Sequence, residues 1–185
     1  MRKLILSLAI SPDGFCGHDA YVPGDDWSDF MARMLIGIQT IILGRKTYHL
    51  FEAFWPAVAR SREGSPALLR LADELDRAEK VVISKTLTDT NWRNVRIESD
   101  LDAVARLKAG PGKDIIVFGG ASLISSLIDS DLVDEYHFAV VPVLAGSGPR
   151  LSDKVKTSLR FLDAVEMSPG VVLLRYGRSI QYPGG

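Results

Sequence analysis

Lys113–Ile124 reads KDIIVFGGASLI, and its two halves follow different periodicities. Ile115, Ile116, Val117 and Phe118 form a continuous apolar run suited to a central strand, whereas Leu123, Ile124, Leu127 and Ile128 recur at helical spacing. Gly119 and Gly120 stand at the joint. Paired glycines there permit an unusual backbone path or the close approach of another group to the main chain. A strand that passes directly into a helix is the repeating unit of an α/β layer protein.

Outward from this stretch the same alternation recurs. Strand-like runs are predicted at Lys3–Ile10, Thr40–Leu43, Lys80–Ser84, Val95–Glu98, Asp114–Phe118, Glu135–Val143, Arg160–Met167 and Val171–Gly177. Helical patterns separate most of the early ones. One starts at Asp26, the expected N-cap, with Asp29 three residues on and Phe30, Met34 and Ile38 recurring every four. A second has Ser65 as cap and Pro66 at the first helical position. A third has Ser99 as cap, Asp102 three positions on and Gly110 as terminator. The fourth follows Gly120. "ARSREGSPA", residues 59–67, is the expected mobile loop, from its charge, Gly and Ser. After Asp134 only strand-like runs remain, which suits antiparallel pairing. The sheet is therefore expected to be mixed, with an antiparallel edge.

The 185 residues fall within the usual size of one domain, 1–185, and a hydrophobic content of 46% is enough for a substantial core. Lys and Arg total 22 against 23 Asp and Glu, a formal charge of -1, so the overall field offers no attraction to nucleic acid or anionic membrane. Any anion site must be local. A single cysteine, Cys16, rules out an internal disulfide and fits a reducing compartment, so the cytoplasm is expected. "MRKLILSLAISPDG" opens like a secretion signal, yet Asp13 interrupts it and no small-x-small cleavage site follows. It reads as a first strand. No apolar run reaches the roughly 18 residues of a membrane span. His18, His49 and His137 lack metal-binding spacing, so no metal site is expected.

Two further strand ends resemble anion sites. In "TIILGRKTYHLF", Gly44 follows a buried run and Arg45, Lys46 and Thr47 occupy the first turn of an expected short helix. Unpaired N–H groups at a helix start attract anions, and adjacent cations strengthen the attraction; a solvated helix start is the plainer alternative. In "KVVISKTL", Ser84, Lys85 and Thr86 add two hydroxyls and another cation. Ligands of open α/β sheets gather at this C-terminal edge. Three such ends suggest one ligand with several phosphates.

Taken in order, "LSLAISPDGFCG", "ILGRKTY", "VVISKTL", "VFGGASLI" and "VDEYHFAVVPVLAGSGPRL" resemble the dihydrofolate reductase-like superfamily, close to the C-terminal reductase domain of riboflavin biosynthesis. The resemblance covers nearly the whole chain. It implies a three-layer α/β/α fold with a central mixed sheet and antiparallel C-terminal strands. It also implies NADPH contacts: Gly44, Arg45, Lys46 and Thr47 at the phosphates, Ser84, Lys85 and Thr86 at the adenosine ribose and its 2′-phosphate, and Gly119, Gly120, Ala121, Ser122 and Leu123 at the pyrophosphate. Three cations near a 2′-phosphate favour NADPH over NADH.

The expected activity is hydride transfer from NADPH to a small pterin- or pyrimidine-like heterocycle. Alternatives are a non-catalytic NADPH-binding module or sensor, and 5-amino-6-(5-phosphoribosylamino)uracil reductase. Against the last, Phe118 stands where the riboflavin enzymes typically carry an acid before the glycines. Asp25, Asp26 and Asp29 all lie near the first-helix position at which folate reductases hold the pterin. Candidate catalytic acids are Asp13, Asp26 and Asp29, although a turn for Asp13 and helix-start stabilisation for the other two are the plainer explanations. Trp27 and Trp55, beside polar or turn residues, are expected to line the substrate cleft, with Phe30 and Phe51 in the core. "AGSGPRL" reads as a turn. The riboflavin-type relatives commonly pair, so a homodimer is expected.

Overall fold

The computed structural model describes residues 1–16, 24–151, 158–167 and 170–179. Gly17 of the first-loop motif and His18 lie outside them. Strands β1 (Leu4–Ile10), β2 (Ile38–Gly44), β3 (Glu79–Ile83), β4 (Val95–Glu98), β5 (Asp114–Phe118), β6 (Glu135–Val140), β7 (Leu159–Met167) and β8 (Val171–Arg178) form one sheet in the order β4-β3-β2-β5-β1-β6-β8-β7. The first six of that order run parallel; β8 is antiparallel to both β6 and β7. The mixed sheet is as expected. β6 is the detail that differs: it belongs to the parallel set through β1, and its expected extension to Val143 ends at Val140, beyond which the Val143 N–H turns back onto the Val141 carbonyl.

Helices α1 (Asp25–Ile36), α2 (Arg45–Ser61) and α3 (Pro66–Arg77) cover one face, and α4 (Asp102–Ala109) and α5 (Ala121–Asp129) the other. Alternation along the strands assigns the side chains. Leu4, Leu6, Ile115 and Val117 pack with Val104, Ile124 and Leu127, while Ile5, Ile41, Leu43 and Ile116 pack with Leu35, Tyr48 and Leu75. Period-two strands buried on both faces give three layers.

The caps differ in part. Ser65 accepts from the Leu68 N–H and Pro66 begins α3, as the pattern predicts. α1 is capped two residues early, with Gly24 rather than Asp26 at the N-cap. At α4 it is Asp100, not Ser99, that accepts from the Ala103 N–H, at 3.4 Å, and Leu101 occupies the cap position. α2 is the larger departure. It is not short but runs for 17 residues through Pro56 and takes in Ala59–Ser61, so the expected loop shrinks to Arg62–Ser65. Proline inside a helix removes one bond to the preceding turn; burial of Tyr48 and Pro56 on the covered side offsets it.

Candidate active site

Sheet register aligns the three strand ends singled out above. Gly44 pairs with Ile83 across β2 and β3, and Leu43 pairs with Phe118 across β2 and β5, so the turns at Gly44, Ser84 and Gly119 leave adjacent parallel strands at the same level. They share one edge. A Cβ built on Gly119 would lie 3.9 Å from the Gly44 nitrogen, and Leu123 packs beneath both glycines, 3.6 Å from a Cβ at Gly44 and 3.5 Å from one at Gly119. Leu123 thus supports the turn through its side chain.

Two helices begin there. Neither α2 at Gly44 nor α5 at Gly120 has a side-chain cap, so the first N–H groups of both are available to a ligand at that edge. Gly120 has an extended conformation open to any residue, and a Cβ on it would meet nothing within 4 Å. The space over Gly120 is cleft. Among the described residues Arg45, Lys46 and Lys85 are exposed and form no salt bridge, unlike the basic side chains of α3. Ser84 is less free than its motif suggests, since its hydroxyl oxygen accepts from the N–H groups of Thr86 (3.2 Å) and Leu87 (3.0 Å). Ser122 is exposed on the first turn of α5, and its carbonyl accepts from Ser126.

A cavity of about 380 Å³ continues from the glycine turn, bounded by the ends of β1 and β5 and by α1, α2 and α3. Gly119, Gly120, Ala121 and Thr47 form one side of it, and Trp27, Phe51, Trp55 and Phe118 its aromatic wall. Both expected tryptophans are there. Phe51 is in the wall as well as against the core, its ring 5.7 Å from that of Phe118. Cys16 also lines the cavity, buried, with its thiol pKa raised by desolvation.

The three candidate acids lie elsewhere. Asp13 accepts from the backbone N–H groups of Ala145 (3.1 Å) and Gly146 (2.7 Å), and these bonds with one from Ser11 hold its carboxyl down to about 2. Asp29 pairs with Arg70 of α3, and Asp26 accepts from the Trp27 N–H at 2.8 Å. Asp25 accepts from the Ser65 hydroxyl. None of them lines the cavity; the side of α1 that does presents Trp27 and Met31.

Tyr48, one of the aromatic residues clustered around the motifs, and Glu52, which the sequence left without a role, brace the site. Tyr48, fully buried, donates to Glu52 one turn later on α2, and Glu52 accepts in addition from the Asn91 N–H at 2.7 Å. α2 is thereby tied to the loop that follows Ser84. The signal was present as Tyr and Glu at i, i+4.

The RibD C-terminal domain model matches residues 2–173. The chain belongs to the RibD C-terminal domain family. Among curated proteins it is similar to two from Bacillus subtilis strain 168: uncharacterized protein YyaP, 33% identical over 95% of this chain and 94% of that one, and uncharacterized protein YwjB, 27% identical over 93% and 96%. Solved structures agree on the fold. They include a putative riboflavin biosynthesis protein from Shewanella sp. PV-4 (TM-score 0.65, 16% identity, 97% of this chain and 99% of that one). A pyrimidine reductase-like protein from Corynebacterium diphtheriae gives 0.65, 15%, 97% and 93%. Dihydrofolate reductase from Enterococcus faecalis, complexed with NADP(H) and RAB-propyl, gives 0.62, 14%, 95% and 96%. This RibD C-terminal domain therefore has the dihydrofolate reductase-like fold that the motif order implied. No helix among its described residues is long and apolar enough to cross a membrane, and no cluster of three or more potential metal ligands occurs among them.

Proposed function

We propose that this RibD C-terminal domain is an NADPH-dependent reductase of a small planar substrate the size of a pterin or pyrimidine. The observation that carries the reading is the abutment of Gly44 and Gly119 at the mouth of the aromatic cavity. It joins a place for phosphates to a place for rings.

The residues fit the cofactor on several counts. Two uncapped helix starts offer N–H groups to the pyrophosphate, and bare Gly120 leaves room for its approach. Arg45, Lys46 and Lys85 meet the 2′-phosphate, with Ser84 and Thr86 beside the ribose. Reduced nicotinamide, when bound, supplies the hydride. The chain's part is to hold the acceptor ring against Trp27, Trp55 and Phe118 and to exclude water from it. We assign Asp13, Asp26 and Asp29 to holding loops and helix starts, because none of them lines the cavity and Asp13 and Asp29 are bonded to Gly146 and Arg70 elsewhere.

Titration of tryptophan fluorescence tests the reading: NADPH should bind in the micromolar range and NADH more weakly. Failure of both to bind at millimolar concentration would sink it. Phe118 in the wall, where an acid would meet a polar pyrimidine, weighs against the phosphoribosylaminouracil reductase alternative. Binding without turnover of any acceptor would instead leave the sensor alternative.

A further inference from the structure

The wall of the cavity carries a second message, about charge. Among the described residues no Asp, Glu, Lys, Arg or His side chain lines it. Its polar side chains are Ser7 and Thr47 with the Cys16 thiol; the rest is aliphatic, aromatic or glycine backbone. Acids within reach in sequence are tied off: Asp29 by Arg70, Asp25 by Ser65 and Asp13 by two backbone N–H groups. His137 is the cross-strand partner of Ser7, yet its Nε2 lies 2.8 Å from Glu135 and it does not line the cavity. Arg150, next to the lining residue Pro149, lies across the Phe15 ring at 4.3 Å.

Away from the glycine turn and its uncapped helix start, the aromatic part of this cavity strongly disfavours a charged ligand, because an ion taken from water into apolar surroundings needs a partner. We infer that the acceptor is an uncharged, flat, conjugated electrophile, a quinone or a conjugated ketone without phosphate or carboxylate. This inference rests on the reductase reading above. Such an acceptor also suits a wall without an acid. Hydride leaves the reduced nicotinamide as its C–H bond breaks and adds to the conjugated system, whose own oxygen holds the charge until the product reaches solvent at the cavity mouth and takes a proton there. A quinone leaves as hydroquinone and NADPH as NADP⁺, two electrons and one solvent proton in balance. A ring C=N, by contrast, is a poor hydride acceptor until a proton is placed on nitrogen, and among the described lining residues there is no carboxyl, imidazole or ammonium group to place it.

The test is a matched set of probes added to the protein saturated with NADP⁺, read by tryptophan quenching: naphthoquinone, its sulfonate, and a phosphoribosylated aminopyrimidine. The neutral quinone should bind at least about tenfold tighter than its sulfonate, a difference of about 1.4 kcal/mol. With NADPH it should yield hydroquinone in equal amount to the NADPH consumed. Phe118→Glu should weaken naphthoquinone about tenfold by adding an unpaired carboxylate to the wall. The wild-type comparison stands even if that variant does not fold. Equal or tighter binding of the sulfonate or the aminopyrimidine overturns the inference and leaves the reductase reading intact. Failure of NADP⁺ itself to bind removes the reading beneath it.

Discussion

Tyr48 donates its phenolic hydrogen to Glu52 across one turn of α2, and the shared carboxylate reaches the Asn91 N–H at 2.7 Å. Burial first, then Glu52, pushes the phenol up to about 12. Burial would raise the Glu52 carboxyl, but the bonds from Tyr48 and Asn91 outweigh it and hold the group low. Tyr48→Phe should therefore cost about 2 kcal/mol in chemical denaturation, the range for a hydrogen bond to a charged group. It should also weaken NADPH several-fold, because the loop after Ser84 loses part of its hold on α2. Unchanged affinity would mean that the brace serves stability alone.

Gly120 offers a cleaner probe of the cleft. Its extended backbone suits any residue, and an added Cβ meets no protein atom within 4 Å. Gly120→Ala and Gly120→Val should keep the wild-type melting temperature while NADPH affinity falls, more for Val than for Ala. A loss of stability without a loss of affinity would show that the glycine serves packing.

Arg45 and Lys46 are exposed at the first turn of α2 without an ion-pair partner among the described residues. Replacing both with Ala should lower NADPH affinity on the order of tenfold, since a charge-assisted contact to phosphate is lost. NADH should change by less than about twofold if the contact is to the 2′-phosphate. The wild-type preference should shrink as salt rises, because exposed charges are screened. Isothermal titration with both nucleotides checks all of this.

How much of this was legible in the residues follows from what each signal depends on. All eight strands were found because runs such as Ile115–Phe118 carry their pattern in four or five consecutive positions. The convergence of Gly44, Ser84 and Gly119 was legible too, since strand ends in parallel α/β sheets share an edge. α2 was read as short because Pro56 and the polar run after it look like a stop, while the burial that carries the helix past them is tertiary. The acids near Trp27 could not be placed. Each residue of shift in a helix start rotates every side chain by about 100°, and α1 is capped at Gly24, two residues before Asp26. That rotation decides whether Trp27 or a carboxylate faces the cavity. The Tyr48–Glu52–Asn91 brace escaped for another reason: Asn91 lies 39 positions beyond Glu52.

Asp13 gives a prediction in pH. Its carboxyl is held at about 2 instead of 3.8 by Ser11 and by the Gly146 and Ala145 N–H groups. A depressed carboxylate contributes stability that is complete above the unfolded value and disappears as pH falls through the folded one. The contribution should therefore be lost between about pH 4 and about pH 2. Asp13→Asn should flatten the dependence of the denaturation midpoint on pH in that window and have little effect on hydride transfer. A large loss of turnover with an unchanged midpoint would restore Asp13 as a catalytic acid.

Lys80 gives a slope of the same sign at the other end of the pH scale. It is fully buried, its Nζ donates to the carbonyls of Leu75 and Asp76 at 3.0 Å each, and it stands 4.2 Å from the centre of the Trp92 ring. These carbonyls close the C-terminal end of α3, so the ammonium occupies the place of a cap and favours the negative end of the helix dipole. Burial nevertheless lowers the pKa to about 8 from 10.5, with Asp76 opposing the shift. Between those values the unfolded chain binds more protons than the folded one, so folding stability should rise as pH climbs from about 8 to beyond 10.5. Lys80→Met keeps much of the side-chain volume and removes the proton, so this slope should vanish. At neutral pH two competing effects separate in the same variant. Loss of the charge removes a desolvation cost, whereas the Leu75 carbonyl loses its donor at about 1–3 kcal/mol for a buried group left unpaired, and the Asp76 carbonyl keeps only the Asn94 amide at 3.5 Å. The second should win, because Leu75 is itself buried and offers its carbonyl little water. The variant should thus be less stable than wild type at pH 7, and denaturation across the pH range measures both the offset and the slope.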